Sequence, residues 1–419
     1  MASPLRNESG HVAPEQGEED TAPRRETPAL LSTLSYASQI YSIRGFAAPG
    51  RWLRDWKEYF YPPVGAPNFV KTYECRPDLP VRVFFPASYD QTSPKTLPTL
   101  FTIHGGGFCI GHIRDDDEWN RAFADGQDVL VIALNYSKAP GAPFPTAIHD
   151  LEALLLALLS DESLPIDRTP HLGRGRTAIL GFSAGGNLAL TASQLPTIRD
   201  HALAPAAAVS VYGYLDLSVP AQEKLANRPF KPSLDLPRGD KVDALLWLMP
   251  TFDWAYVPYG HDLRDPLLSP YFASRENLPP YVGIVAAELD FLAHEGWRTA
   301  CGLAREGLGY QGWAAERGRY RHRVPDRLSK EKPWRVCGRE EVSSRVGELE
   351  LEDGRFAFEE SWPGGGVKWL LVPDVLHGFD NQSIRALMGG EETVRDAEAK
   401  TKAFMDELGV WLKGTVWKV

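Results

Sequence analysis

The chain has 419 residues, 43% of them hydrophobic, and a formal net charge of −10. That supplies one large core, or one core with substantial insertions, and the acidic balance argues against a general nucleic-acid binder. Cys75, Cys109, Cys301 and Cys337 are spaced too widely for a zinc pattern or a dense disulfide framework.

Residues 1–27 mix Glu, Asp, Arg and Pro without an apolar secretory segment, so a disordered tail and a cytoplasmic location are expected. The most apolar run, Leu151 to Leu159, is too short to span a membrane and carries Glu152. Residues 29–60 read as helical and aromatic (Tyr36, Tyr41, Trp52, Trp56, Tyr59, Phe60) and are expected to pack over the core as part of a cap. From residue 68 strand and helix signals alternate. Phe69–Cys75 and Val81–Phe85 read as strands joined by a turn at Arg76-Pro77-Asp78. A strand ending at His104 follows, then Val129–Leu134, a helix over Pro145–Leu159, a strand at Thr177–Leu180 with its helix, and strands at Ala206–Tyr212 and Tyr281–Ala287. Continuous apolar strands alternating with helices predict a mostly parallel sheet covered on both faces.

Two segments break the rhythm. Residues 217–262, rich in Pro and aromatics, are expected to form a lid or cap over the strand C-termini. Residues 310–365 place Arg317, Arg319, Arg321, Arg323 and Arg327 before Glu348, Glu350, Glu352, Asp353, Glu359 and Glu360. This reads as a surface insertion, its basic cluster a solvated face. Alternation around Asp353-Gly354 predicts a hairpin with Leu349, Leu351, Phe356 and Phe358 apolar. A Gly-x-Gly-x-x-Gly match at Gly307–Gly312 follows a helix instead of opening one, so no dinucleotide is expected.

Two motifs carry chemistry. Gly181-Phe182-Ser183-Ala184-Gly185 fits a nucleophile elbow, in which a serine is held out on a sharp strand-to-helix turn. His104-Gly105-Gly106-Gly107-Phe108 fits the glycine-rich loop beside such a serine, whose backbone N–H groups approach a tetrahedral oxyanion. A serine needs a histidine to take its proton and an acid to fix that histidine's tautomer, in the order Ser, acid, His. Downstream lie His201, His261, His294, His322 and His377. Only His377 follows a late strand, Val367–Val372, and precedes a glycine. Asp290 follows the strand ending Val285-Ala286-Ala287-Glu288-Leu289 and is the favoured acid; Glu288, Asp265 and Asp380 are its rivals.

On these stretches, together with Asn135-Tyr136-Ser137-Lys138-Ala139-Pro140, Phe144-Pro145, Asp265-Pro266, Ser269-Pro270 and His377-Gly378-Phe379, the chain resembles the hormone-sensitive-lipase-like α/β-hydrolases, a family that includes many microbial and fungal carboxylesterases. The resemblance covers roughly 68–310 and 366–415. It implies an α/β-hydrolase domain over 28–419, with Ser183 as nucleophile, Asp290 as acid, His377 as base and an oxyanion hole from the N–H groups of Gly106, Gly107 and Ala184. Phe182 stands where many members carry Asp, and His294 where a second acid often follows the catalytic one.

The expected activity is hydrolysis of a small-molecule carboxylic ester through an acyl-enzyme. No metal or organic cofactor, nucleic-acid partner or integral membrane association is expected, and homo-oligomerisation stays open. An acyltransferase, a secondary-metabolite lyase or cyclase, and a non-catalytic receptor on the same fold are the alternatives. The retained histidine argues against the receptor.

Overall fold

The computed structural model describes residues 22–63, 65–169, 174–309, 338 and 344–419. The described residues form a sheet of nine strands in the order β1-β2-β4-β3-β5-β6-β7-β9-β8. These are β1 (Phe69–Tyr73), β2 (Arg76–Phe84), β3 (Thr99–Ile103), β4 (Leu130–Leu134), β5 (Thr177–Phe182), β6 (Ala207–Val211), β7 (Tyr281–Ala287), β8 (Ala357–Trp362) and β9 (Gly365–Val372). From β4 to β9 every neighbouring pair is parallel, in registers such as Ile103↔Gly181 and Phe182↔Val211. β1, β2 and β8 close the two sides antiparallel.

The continuous apolar strands have the physical reason expected of them. Successive side chains point to opposite faces, and both faces are covered. Leu100 and Val131 pack with Trp119 and Phe123 of α2 (Asp117–Gln127). Phe101 and Ile132 pack on the other side with Leu151, Leu154 and Leu158 of α3 (Thr146–Ser160). The parallel strands deliver β3, β5, β7 and β9 to one edge of the sheet, and the loops there carry the site.

Above that edge lie α1 (Leu30–Phe60) and α7 (Met249–Tyr256). Thr251 donates to the Gln39 side-chain oxygen at 2.5 Å, and Tyr36 stands 6.3 Å from Trp254. Arg44 of α1 donates from Nε to the Cys109 carbonyl at 3.0 Å. The aromatic residues of α1 do not all pack inward as a cap helix would. Tyr41, Trp52, Trp56 and Phe60 are exposed, beside Leu34, Phe46 and Leu53. Between the two helices come α4 (Ala184–Ala192), α5 (Pro196–Arg199) and α6 (Ala221–Leu225); after α7 come α8 (Ala293–Gly307), α9 (Gln382–Arg385) and α10 (Glu391–Trp411).

Two expectations are corrected. The β1–β2 turn lies at Glu74-Cys75, and Arg76-Pro77-Asp78 is inside β2. Arg76 is held there by the Asp150 carboxylate at 2.6 Å and the Cys75 carbonyl at 2.7 Å. The hairpin of the insertion is centred on Pro363-Gly364, where β8 turns into β9, not on Asp353-Gly354. Phe356 is fully buried before β8 begins, and Arg355 folds back on Asp353 at 2.6 Å, so core packing overrides the local alternation. The end of the insertion, as β8, is thereby built into the sheet. The arginine cluster 317–327 lies outside the described residues.

Candidate active site

β5 ends at Phe182, α4 begins at Ala184, and Ser183 between them takes φ 54° and ψ −119°. A non-glycine residue with positive φ is strained and persists only where its surroundings over-determine it. They do so here. Ser183 N–H donates to the Val211 carbonyl of β6 at 2.9 Å, and its own carbonyl accepts from Gly186 N–H at 2.9 Å. The flanking glycines are needed for close approach more than for their own dihedrals. A Cβ on Gly181 would land on the Gly185 carbonyl, and one on Gly185 would land on the Ile103 carbonyl of β3.

His377 reaches this serine from the loop after β9. Its Nε2 lies 2.8 Å from Ser183 Oγ, and its Nδ1 lies 2.6 Å from Asp290 Oδ2. A carboxylate only accepts, so the proton sits on Nδ1 and the free lone pair of Nε2 faces the serine hydroxyl. Asp290 is buried, and its other oxygen accepts from Leu292 N–H at 2.9 Å. Burial works against the imidazolium, but the Asp290 carboxylate outweighs it and holds His377 above the usual histidine range. The Tyr212 ring stands 4.6 Å from the imidazole, with its hydroxyl tied to Asp380.

The glycine loop faces the serine from the other side. Gly106, Gly107 and Phe108 have φ of 111°, 55° and 61°. A Cβ on Gly105 would come within 3.1 Å of the Phe182 carbonyl, so the loop packs directly against the elbow. Among the described residues the N–H groups of Gly106, Gly107 and Ala184 donate to no carbonyl or side chain. Ala184 opens α4, whose positive end favours developing negative charge. The Phe252 ring of α7 covers Gly107, so the cap closes on this loop. His104 braces it from beneath, with Nδ1 2.8 Å from the Gly105 carbonyl and Nε2 3.0 Å from Lys138 Nζ. Burial, then the Lys138 charge, hold His104 well below its usual range, and burial pushes Lys138 down to about 7.

The structure therefore brings Ser183, Asp290, His377, Gly106, Gly107 and Ala184 together and sets the rivals aside. Glu288 accepts from Lys231 Nζ at 2.6 Å and from Asp374 N–H at 2.9 Å. Asp265 pairs with His261 at 2.8 Å, His201 accepts from Leu203 N–H, and His294 is a half-buried ring beside Trp297. His322 lies outside the described residues. Phe182, in place of a carboxylate, packs edge-on to Trp119 at 5.1 Å.

Three groups carried no signal in the sequence. Lys231, 1% exposed at its side chain, joins Glu288 to Asp374 at 2.6 and 2.5 Å. Arg228 donates to the Leu289 carbonyl. Asp243 is buried and caps the turn that follows it, accepting from Leu245 N–H at 2.9 Å. All three belong to the irregular segment 217–262, where no period or motif singles out a position.

A sequence profile for the α/β-hydrolase fold matches residues 100–311. The chain belongs to the α/β-hydrolase fold family. The resemblance to its hormone-sensitive-lipase-like members holds across the matched region. A carboxylesterase (NlhH) of Mycobacterium tuberculosis is 31% identical over 230 residues, 54% of this chain and 65% of that protein, so the chain spans just under two thirds of that relative. An ethyl acetate hydrolase of Pseudomonas putida is 32% identical over 243 residues, 56% of this chain and 68% of that protein. The fold is shared with a hyperthermophilic esterase from Pyrobaculum calidifontis, at TM-score 0.58 and 18% identity, covering 92% of this chain and 98% of the other. A structure from a study of two Rhizomucor miehei esterases has TM-score 0.58 at 19% identity, covering 94% and 99%. In this α/β-hydrolase no described helix is long and apolar enough to cross a membrane.

Proposed function

We propose that the protein hydrolyses small-molecule carboxylic esters, with Ser183 as nucleophile. The observation that carries this reading is the continuous hydrogen-bonded chain Asp290–His377–Ser183, which ends beside three undonated backbone N–H groups. His377 Nε2 takes the Ser183 proton as Oγ attacks the ester carbon. The carbonyl oxygen becomes an oxyanion between the N–H groups of Gly106, Gly107 and Ala184, where fixed donors meet charge that exists only in the transition state. Asp290 stabilises the imidazolium, which protonates the leaving alcohol. Water then enters, gives a proton to the same Nε2 and attacks the acyl-serine, releasing the acid and restoring the enzyme. No step calls on a metal or organic cofactor.

The curated relatives named carboxylesterase and ethyl acetate hydrolase support the same substrate class. The test pairs a fluorophosphonate probe with turnover of p-nitrophenyl acetate. Wild type is expected to take one label, on Ser183, and to release p-nitrophenol. Ser183→Ala is expected to do neither. A label on another serine, or turnover surviving in the variant, overturns the assignment.

A further inference from the structure

The end of β6 meets both partners of the proton transfer. Val211, its last residue, gives its carbonyl to Ser183 N–H at 2.9 Å. Tyr212, next in the chain, sets its ring 4.6 Å from the His377 imidazole, centroid to centroid, with the two planes 56° apart. One corner of the sheet touches the nucleophile through backbone and the base through a side chain.

Tyr212 is held at both ends. Its φ is 39°, a left-handed value that a bulky residue keeps only under constraint. Its N–H donates to the Val285 carbonyl of β7 at 2.6 Å, and its hydroxyl donates to Asp380 Oδ1. Asp380 shares the loop of His377, and this part of the loop is anchored. The Asp380 carbonyl accepts from Arg385 Nη1 at 3.1 Å. The buried Phe379 ring stands edge-on to Phe404 of α10 at 5.6 Å and to the Tyr212 ring at 6.0 Å. The tyrosine therefore joins β7, which leads to Asp290, to the loop that carries the base.

A histidine in this setting needs more than its two hydrogen bonds. The Asp290 bond at Nδ1 fixes one atom of the imidazole and leaves the ring able to tilt about that contact. The Ser183 bond at Nε2 fixes a second atom only in the resting state. Once Oγ has bonded to carbon that bond is gone, and Nε2–H must face the leaving oxygen instead. A ring packed on the imidazole holds its plane through both states, because packing does not depend on where the proton is.

We infer that Tyr212 is a positioning residue for His377. Its ring holds the plane of the imidazole, and its hydroxyl, through Asp380, fixes the spacing between the strand end that holds Ser183 and the loop that carries the base. This inference rests on the ester-hydrolase reading above and adds to it a residue outside the triad and the oxyanion loop.

The experiment measures p-nitrophenyl acetate turnover by wild type, Tyr212→Phe, Tyr212→Leu, Asp380→Leu, Asp380→Asn and the double variant Tyr212→Phe with Asp380→Leu. Rates are taken on the alkaline plateau, where His377 is neutral, so that a changed charge near the base is not read as a changed position. Each kcat is divided by the serine labelled at the end point by fluorophosphonate, so that unfolded molecules are not counted. Tyr212→Leu is expected to lower kcat per site about a hundredfold, the scale of a reacting group misplaced by an ångström, with KM nearly unchanged. Tyr212→Phe keeps the ring and loses the tether, and is expected to lose about tenfold, the scale of one hydrogen bond to a charged group. Asp380→Leu should match it, and the double variant should lose no more than either single, because both break the same bond. Asp380→Asn still offers the hydroxyl an acceptor and should recover most of the rate lost in Asp380→Leu. A per-site kcat in Tyr212→Leu within about threefold of wild type, or a loss confined to KM, overturns the inference. Should that variant not fold, the same two outcomes in Tyr212→Phe overturn it. Losses that simply multiply in the double variant overturn the tether through Asp380. Wild type that neither takes the label nor turns over the ester would instead overturn the ester-hydrolase reading.

Discussion

The two sides of Ser183 are built by different means. On the oxyanion side the chain uses backbone. Gly181 and Gly185 lie so close to neighbouring carbonyls that a side chain would collide, Gly105 packs tightly against the Phe182 carbonyl, and parallel register between β3 and β5 aligns the two loops. On the acid side the chain uses long charged side chains from the cap. Arg228 holds the Leu289 carbonyl, Lys231 ties Glu288 to Asp374, and Lys224 pairs with Glu295. Backbone contact gives a fixed geometry that tolerates no added atom. Buried ion pairs tolerate replacement as a set and fail when one member is removed. The two sides should therefore answer mutation differently.

The largest expected effect joins both sides at the histidine. His377→Ala is expected to cost kcat as much as losing the serine, roughly 10⁴- to 10⁶-fold, because groups that act as a unit are not additive. Single-turnover acylation would check it. A loss under a hundredfold would mean that another base serves the serine.

The oxyanion side can be broken without touching a charge. Gly107→Ala places a Cβ against the Phe252 ring at a φ of 55°. The expected result is a fall in kcat of about 10²–10³-fold, the scale of one lost oxyanion donor, with Ser183 still labelled by the phosphonate. A change confined to KM would count against the loop's role.

Next comes the acid side. Lys231→Met leaves Glu288 and Asp374 buried without their cation, and is expected to cost about 3–5 kcal/mol of stability in denaturant unfolding. Adding Glu288→Gln and Asp374→Asn should recover most of that loss. An equal loss in single and triple variants would show that packing, not charge, is what Lys231 supplies.

pH gives the smallest effects, and one on each side. In the proposed reaction His377 must be neutral to act as a base, and its range lies above the ordinary 6.5. The acidic limb of kcat/KM is therefore expected above pH 6.5, and Asp290→Asn should move the residual limb downward. For Lys138 the folded value of about 7 lies below the ordinary 10.5. The unfolded chain then binds the extra proton between these values, so this residue makes stability rise with pH from about 7 toward 10. Lys138→Met should flatten that slope in thermal unfolding followed across the same window.

The same division explains what the sequence disclosed. The elbow and the glycine loop were legible because close backbone approach demands glycine at fixed local spacing. His377 and Asp290 were legible as residues after strands, since a parallel sheet sends its loops to one edge. Lys231 and Arg228 were not, because their partners lie far away in sequence and their own segment has no period. The Asp353-Gly354 hairpin failed for the opposite reason. Its local pattern was strong, yet burying Phe356 and pairing β8 with β9 moved the turn to Pro363-Gly364.

The positive φ of Ser183 also limits what this protein could become. Threonine carries the same hydroxyl and would seem the mildest exchange for a serine. Its branched Cβ, however, is poorly tolerated at a dihedral that the strands on either side enforce. Unbranched cysteine fits the turn and would bring a different nucleophile. Heritable change at this position is thus filtered by shape before it is filtered by reactivity. A lineage departing from the serine would pass through residues that fit the corner, whatever chemistry they happened to bring.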